Sequence, residues 1–334
     1  MPVINNSSGD WWTDEPVRTV AEDGLDRGPF VSRVRDLIEQ VGSRSSSTVI
    51  GLVGPWGSGK TSTVNMITDG LDKERWGITE VNPWGLSGGE AVVSELLSGI
   101  TAAFPKDDQV SSRARDALIR YGTFATPLLS VIPLVGGAAK GLGDAALTRM
   151  TQEGTLHDRA QVVRDELLAL GRPILIVVDD VDRLQPDELL ALFKAVRVLG
   201  RLPHVHYLLA YDEQTVLDVL AKTAVAAEHD ERALAFLEKI ITLRLDQPPT
   251  RAEQADGLLD KGLIDVFAEM GVATLTERQR ERLADEREAL LAHTLTEPRS
   301  ISRLLTQLRA YLPLLGPSAV DLLTFLVLPF LRVS

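Results

Sequence analysis

Cysteine is missing from all 334 residues, so disulfides and thiolate metal sites are excluded from the start. A basic surplus is missing too: 35 lysines and arginines stand against 47 aspartates and glutamates, a formal net charge of −12. That balance argues against a protein whose main work is coating nucleic acid, which shows as a basic excess or stripe. Clusters such as Arg113 and Arg115 are too sparse to reverse it, and no nucleic-acid partner is indicated. The first residues lack the basic start and apolar core of a secretory signal, so a cytoplasmic-facing protein is expected. What is present is 44% hydrophobic and 25% charged, a globular composition with length for one large α/β domain and a smaller appendage.

Residues 51–61 read GLVGPWGSGKT and close a short apolar run, 47–53, that suits a buried strand. Gly54, four residues, then Gly59, Lys60 and Thr61 satisfy the phosphate-loop spacing, and a helix-compatible stretch, 63–71, follows. The residue types fit the chemistry. Gly57 and Gly59 have no Cβ, so the backbone can wrap a phosphate chain and aim its N–H groups at the oxygens. The next helix adds its positive end. Lys60 supplies a charge for the β- and γ-phosphates, and the Thr61 hydroxyl a ligand for Mg²⁺.

Such a loop needs a second strand that carries a carboxylate, and residues 173–182, PILIVVDDVD, provide one. Five consecutive apolar residues suit a strand buried on both faces of a parallel sheet. Aspartates at its carboxyl end stand where open α/β sheets bind ligands. Asp179 is expected to hold Mg²⁺ and Asp180 to polarise the attacking water.

Four stretches, PWGSGKTS (55–62), VNPW (81–84), VVDDVDRLQPDEL (177–189) and EPRSISRLL (297–305), resemble the KAP family of P-loop NTPases. The likeness runs from about residue 14 to the end of the chain, with one unusual interval at 121–147. It implies a parallel five-stranded sheet flanked by helices, with a C-terminal helical lid. It also implies a nucleotide cradle of Pro55, Trp56, Gly57, Ser58, Gly59, Lys60, Thr61 and Ser62, with ATP and Mg²⁺ as ligands. The expected divisions are a polar tail at 1–14, a core at 15–250 and the lid at 251–334.

By the same resemblance, EDGLDRGPF at 22–30 lies against the adenine base, so Asp26, Arg27 and Phe30 are candidates for base contacts; a plain loop leading into a helix at 31–41 is the alternative. Trp84 reads as a packing anchor, with a ligand contact as the alternative. The apolar run at 204–211 reads as the strand next to that of the phosphate loop. Asp212 after it resembles a residue beside the γ-phosphate, and equally suits the N-cap of a helix at 213–220. His204 and His206 alternate on that strand, but nothing at ligand spacing accompanies them, so no metal is assigned. A fifth strand falls within 233–245. Helices are expected at 254–270, 276–293, 298–312 and 319–331. Arg299, at a helix start, matches a sensor arginine that reaches back to the nucleotide.

The interval 121–147 carries no charge until Lys140. Pro127 and Pro133 would break a regular helix there. KAP relatives often place membrane segments at this position. A degenerate or re-entrant membrane element, a hydrophobic loop meeting a partner or sister subunit, and a buried connector all stay open.

The leading expectation is therefore an ATP-hydrolysing conformational switch in which Lys60, Asp180, Asp212 and Arg299 are catalytic and Thr61 and Asp179 hold the metal. An arginine finger is expected from Arg183, Arg197, Arg201 or Arg244, in a homo-oligomer or with a partner protein. The family's bacterial members point to phage exclusion and membrane-linked roles. The rival reading is a nucleotide-dependent scaffold with negligible turnover. A small-substrate kinase shares the loop but lacks a recognisable acceptor site.

Overall fold

The computed structural model describes residues 15–85, 87–106, 108–131, 156–223, 225–226, 229–269 and 297–315. Internal contacts divide the chain into two units: Met1–Pro29 with Trp56–Met66 and Pro248–Ser334, and Phe30–Pro55 with Ile67–Gln247.

The second unit is built on a parallel sheet. Its strands are β1 (Val49–Val53), β2 (Gly77–Val81), β3 (Ile174–Val178), β4 (Val205–Tyr211) and β5 (Leu243–Asp246), in the order β2-β3-β4-β1-β5. Every neighbouring pair is parallel. The central strands β1, β3 and β4 are buried at every residue, as expected of a sheet covered on both faces, and this is why they read as unbroken apolar runs.

The helices in chain order are α1 (Gly28–Gly42), α2 (Lys60–Asp69), α3 (Gly89–Ala102), α4 (Gln109–Val131), α5 (Leu156–Leu170), α6 (Pro186–Leu199), α7 (Glu213–Ala221), α8 (Asp230–Glu238), α9 (Ala252–Glu269) and α10 (Pro298–Leu315). Val205, Tyr207, Leu209 and Tyr211 of β4 share one core with buried residues of α3 to α8. The alternate β4 residues, His206 among them, point to the opposite face, where the His206 ring meets Trp76 edge-on at 5.8 Å. Local signals fix the helix that follows β3: Pro186 occupies the first turn of α6, where its missing N–H costs nothing. The Gln185 N–H donates to Glu188 at 3.0 Å.

In the first unit α9 and α10 bury one stripe each. Ala255, Leu259, Leu263, Val266 and Phe267 lie on α9, and Ile301, Leu304, Leu305 and Leu308 on α10. The spacing of three and four residues places each set on one helical face. Arg309 pairs with Glu269 at 2.9 Å.

One expectation is corrected. Helix α4 does not stop before Pro127 but runs through it to Val131. A mid-helix proline forfeits one backbone hydrogen bond and costs about 3 kcal/mol; α4 is packed against α3 and α5. Residues 132–147 of the interval 121–147, the tail at 1–14 and the helices expected at 276–293 and 319–331 lie outside the described residues. Among the described residues no helix is long and apolar enough to cross a membrane.

Candidate nucleotide site

The phosphate loop leaves β1 at the carboxyl edge of the sheet. The Gly54 N–H donates to the Tyr211 carbonyl at 3.2 Å, and the Gln247 N–H to the Val53 carbonyl at 2.7 Å. The end of β1 is thus tied on both sides, so the loop begins from a fixed direction.

In the first unit the loop turns on two glycines, Gly57 at φ +83° and Gly59 at φ +85°, a region that L side chains rarely adopt. α2 starts at Lys60, and its first backbone bond runs from Thr63 N–H to the Gly59 carbonyl at 3.0 Å. The N–H groups ahead of that bond are those a helix start offers to an anion. Lys60 is buried, at 9% exposure. Ser62 Oγ accepts from the Val17 N–H at 3.1 Å, and the Asn65 side chain donates to the Val17 carbonyl at 3.3 Å. Residues 15–18 thereby lie along the loop helix.

The start of α10 meets the same loop. The Arg299 N–H donates to the Gly57 carbonyl at 3.4 Å, and its guanidinium stands 5.6 Å from the centroid of the exposed Trp56 ring, a cation–π contact. Burial raises the pKa of Glu297, a rise that the charge of Lys60 offsets only in part. Of the three candidates for base contacts, Asp26 is exposed and Phe30 half-buried. Arg27 is buried in a pair with Asp23 at 2.7 Å.

In the second unit the acidic cluster follows β3. Asp179 is buried, and its Oδ1 accepts from the Asp180 N–H at 2.8 Å. Asp180 sits in the left-handed region, φ 54° and ψ 34°, and its Oδ1 pairs with Arg183 Nε at 3.0 Å. The Arg183 guanidinium in turn stands 5.4 Å from the Trp84 ring centroid. Trp84 is 59% exposed, so that ring lies under a cation and not in the core. Asp212 caps α7 by accepting from the Thr215 N–H at 3.0 Å, while its own N–H donates to the buried Asp182 at 3.3 Å.

The remaining arginines divide by location. Arg244 bridges Glu213 and Asp246. Arg197 and Arg201 are exposed at the end of α6 that precedes β4, hence at the amino edge of the sheet. A 14-residue helix puts that end about 20 Å from the carboxyl edge. No group of histidines and carboxylates among the described residues has the arrangement of a resident metal site.

The residues fit a nucleoside triphosphate and its cation in kind. The first unit offers two positive-φ glycines, a buried lysine and a helix-start threonine, residue types suited to phosphate, and the second a buried strand-end aspartate, a type suited to a hard cation. Sequence reasoning passed over Asp23, Asp182 and Glu297. Asp23 had a legible signal, a carboxylate four residues before Arg27. Asp182 was visible as the third acid of VVDDVD, and Glu297 as a neighbour of Arg299.

A family model described as the KAP family P-loop domain matches residues 27–315. The phage T7 exclusion protein of Escherichia coli (strain K12) is 29% identical over 271 residues, 72% of this chain and 35% of that protein. The chain therefore spans about a third of the length of the curated relative it matches. Among solved structures, the Aeropyrum pernix ORC2 protein in ADPNP–ADP complexes is 13% identical, covering 97% of this chain and 72% of that one with a TM-score of 0.48. The Aeropyrum pernix ORC1 protein in complex with DNA is 14% identical, covering 92% and 65% with a TM-score of 0.44.

Proposed function

This chain belongs to the KAP family of P-loop domains, and from that membership we propose that it binds ATP with Mg²⁺, hydrolyses it and changes conformation as it does so. The observation that carries the reading is the order of the sheet. β1 and β3 both run parallel to β4, one on each side of it, so the strand that feeds the phosphate loop and the strand that feeds the paired aspartates end at one edge.

The roles follow from the residue chemistry. The amides of Gly57, Ser58 and Gly59 receive phosphate oxygens, with Pro55, Trp56 and Ser62 flanking them. Lys60 neutralises the β- and γ-phosphates. Thr61 and Asp179 are the residues that would hold Mg²⁺, which when bound would supply positive charge against the phosphates. Asp180 orients and polarises water, and Asp212 stands by as a sensor while it caps its helix. Arg299 reports from a lid at 251–334, and the core at 15–250 carries a tail at 1–14. A second copy of the chain supplies the arginine finger. The setting is the cytoplasmic side, and exclusion of bacteriophage is the biological role, supported by what the E. coli relative is named for.

Single-turnover hydrolysis tests the reading. Wild type is expected to release phosphate from ATP. Lys60→Ala is expected to lose nucleotide affinity, and Asp180→Asn to bind but turn over about a hundredfold or more slowly. The second reading, a nucleotide-dependent scaffold, is favoured by one observation: the Asp180 carboxylate is already engaged by Arg183. No phosphate release by wild type, with binding intact, would move the assignment to the scaffold.

A further inference from the structure

A carbonyl oxygen in a phosphate loop is a liability, because it repels the anion that the neighbouring N–H groups attract. The Gly59 carbonyl is the one just before the lysine, and three donors hold it. They are the Thr63 N–H at 3.0 Å, the Thr63 hydroxyl at 3.2 Å and Arg27 Nη1 at 3.1 Å. The same Arg27 nitrogen reaches Thr63 Oγ1 at 3.4 Å. On its other side the guanidinium is forked onto Asp23 Oδ1, through Nε at 2.9 Å and Nη2 at 2.7 Å. The second oxygen of Asp23 accepts from the Arg27 backbone N–H at 2.6 Å. The two side chains are 7% and 2% exposed, so the fork is shielded from water and its geometry is firm.

Gly59 C=O and Lys60 N–H belong to one planar trans peptide and point in opposite directions. Whatever fixes the carbonyl therefore aims the amide. A Cβ on residue 59 would stand 2.6 Å from Arg27 Nη1, so the guanidinium lies against the open side of that glycine. We propose that Arg27, oriented by Asp23, is a positioning residue of the phosphate loop: it turns the Gly59 carbonyl away and so presents the Lys60 amide to a phosphate. The proposal rests on the nucleotide reading above and departs from the base contact expected of Arg27. Four of its five N–H donors already serve Asp23, Gly59 and Thr63.

The test is the dissociation constant of the full chain for Mg²⁺–ATP, Mg²⁺–GTP and Mg²⁺–tripolyphosphate, by calorimetry, beside thermal midpoints. Arg27→Ala is expected to weaken all three by one common factor, about tenfold to a hundredfold. Arg27→Lys, which keeps one donor, is expected to recover part of the loss. Asp23→Asn is expected to follow Arg27→Ala in direction. A changed ATP-to-GTP ratio in Arg27→Ala, with tripolyphosphate unaffected, would overturn the proposal in favour of a base contact. So would unchanged affinities in both arginine variants. If Arg27→Ala does not fold, the lysine and asparagine variants carry the same comparison. Wild type that binds none of the three ligands sinks the nucleotide reading itself, whereas wild-type binding with unaffected variants sinks only the role of Arg27.

Discussion

His206 is fully buried on β4, and neither ring nitrogen finds a hydrogen-bond partner among the described residues. Burial, and secondarily the charge of nearby His204, lowers its pKa to about 4. Between that value and the ordinary 6.5 the unfolded chain takes up a proton that the folded chain refuses. Stability is thus intact above that window and lost as pH falls through it. Going from pH 7 to 5 should cost about 2 kcal/mol from this residue alone. Urea midpoints at the two pH values are expected to show that loss in wild type and to lose most of it in His206→Leu; parallel shifts in both would remove His206 as the cause. Asp180 presents a second local tension, a non-glycine residue at positive φ whose carboxylate is paired with Arg183. Such strain recurs at functional sites. Turnover of Arg183→Ala is expected at or above that of wild type. A fall of about a thousandfold, the size of a lost arginine finger, would give Arg183 that role instead.

Elements buried on both sides announced themselves most clearly. β1, β3 and β4 are legible as apolar runs because no face of the sheet meets water there, whereas the half-exposed edge strands β2 and β5 carry no such run and the count of five was implied by the family resemblance. The phosphate-loop helix was legible in kind but not in its start: it opens at Lys60, not at residue 63, because a loop-to-helix turn made of Gly, Lys and Thr has no apolar periodicity to mark it. Contacts across sequence, such as Arg27 on Gly59 or Arg183 over Trp84, follow from the folded path of the chain and from no local pattern. Asp212 was legible as a cap and is one, since it accepts the Thr215 N–H. Its second role can be separated from its first. Asparagine caps about as well as aspartate, whereas alanine costs about 1 kcal/mol. Asp212→Ala is therefore expected to lower the melting temperature and Asp212→Asn to leave it near wild type. If Asp212 also serves the reaction, the asparagine variant slows single-turnover hydrolysis; wild-type rates in that variant would confine Asp212 to the cap.

At the scale of the molecule, the proposed hydrolysis calls for an arginine finger. Arg183 is paired with Asp180 and Arg244 with Glu213 and Asp246, so both are already engaged with carboxylates of their own unit. Arg197 and Arg201 are exposed at the amino edge, about a helix length from the aspartates of their own sheet, where a neighbouring copy could reach them. The carboxyl edge carries Asp179, Asp180, Asp182 and Asp212, so two copies meeting amino edge to carboxyl edge bring opposite charges together. The formal charge of −12 opposes any such meeting at low salt and is screened within about 8 Å at physiological ionic strength. At that salt, turnover per chain is expected to rise with protein concentration. A mixture of Lys60→Ala chains with an Arg197→Ala/Arg201→Ala double variant is expected to hydrolyse ATP when neither does so alone. The first lends the arginine and the second the loop. Turnover per chain that stays constant down to nanomolar protein, together with a silent mixture, would mean that each chain completes its own site and that the finger lies elsewhere in the same copy.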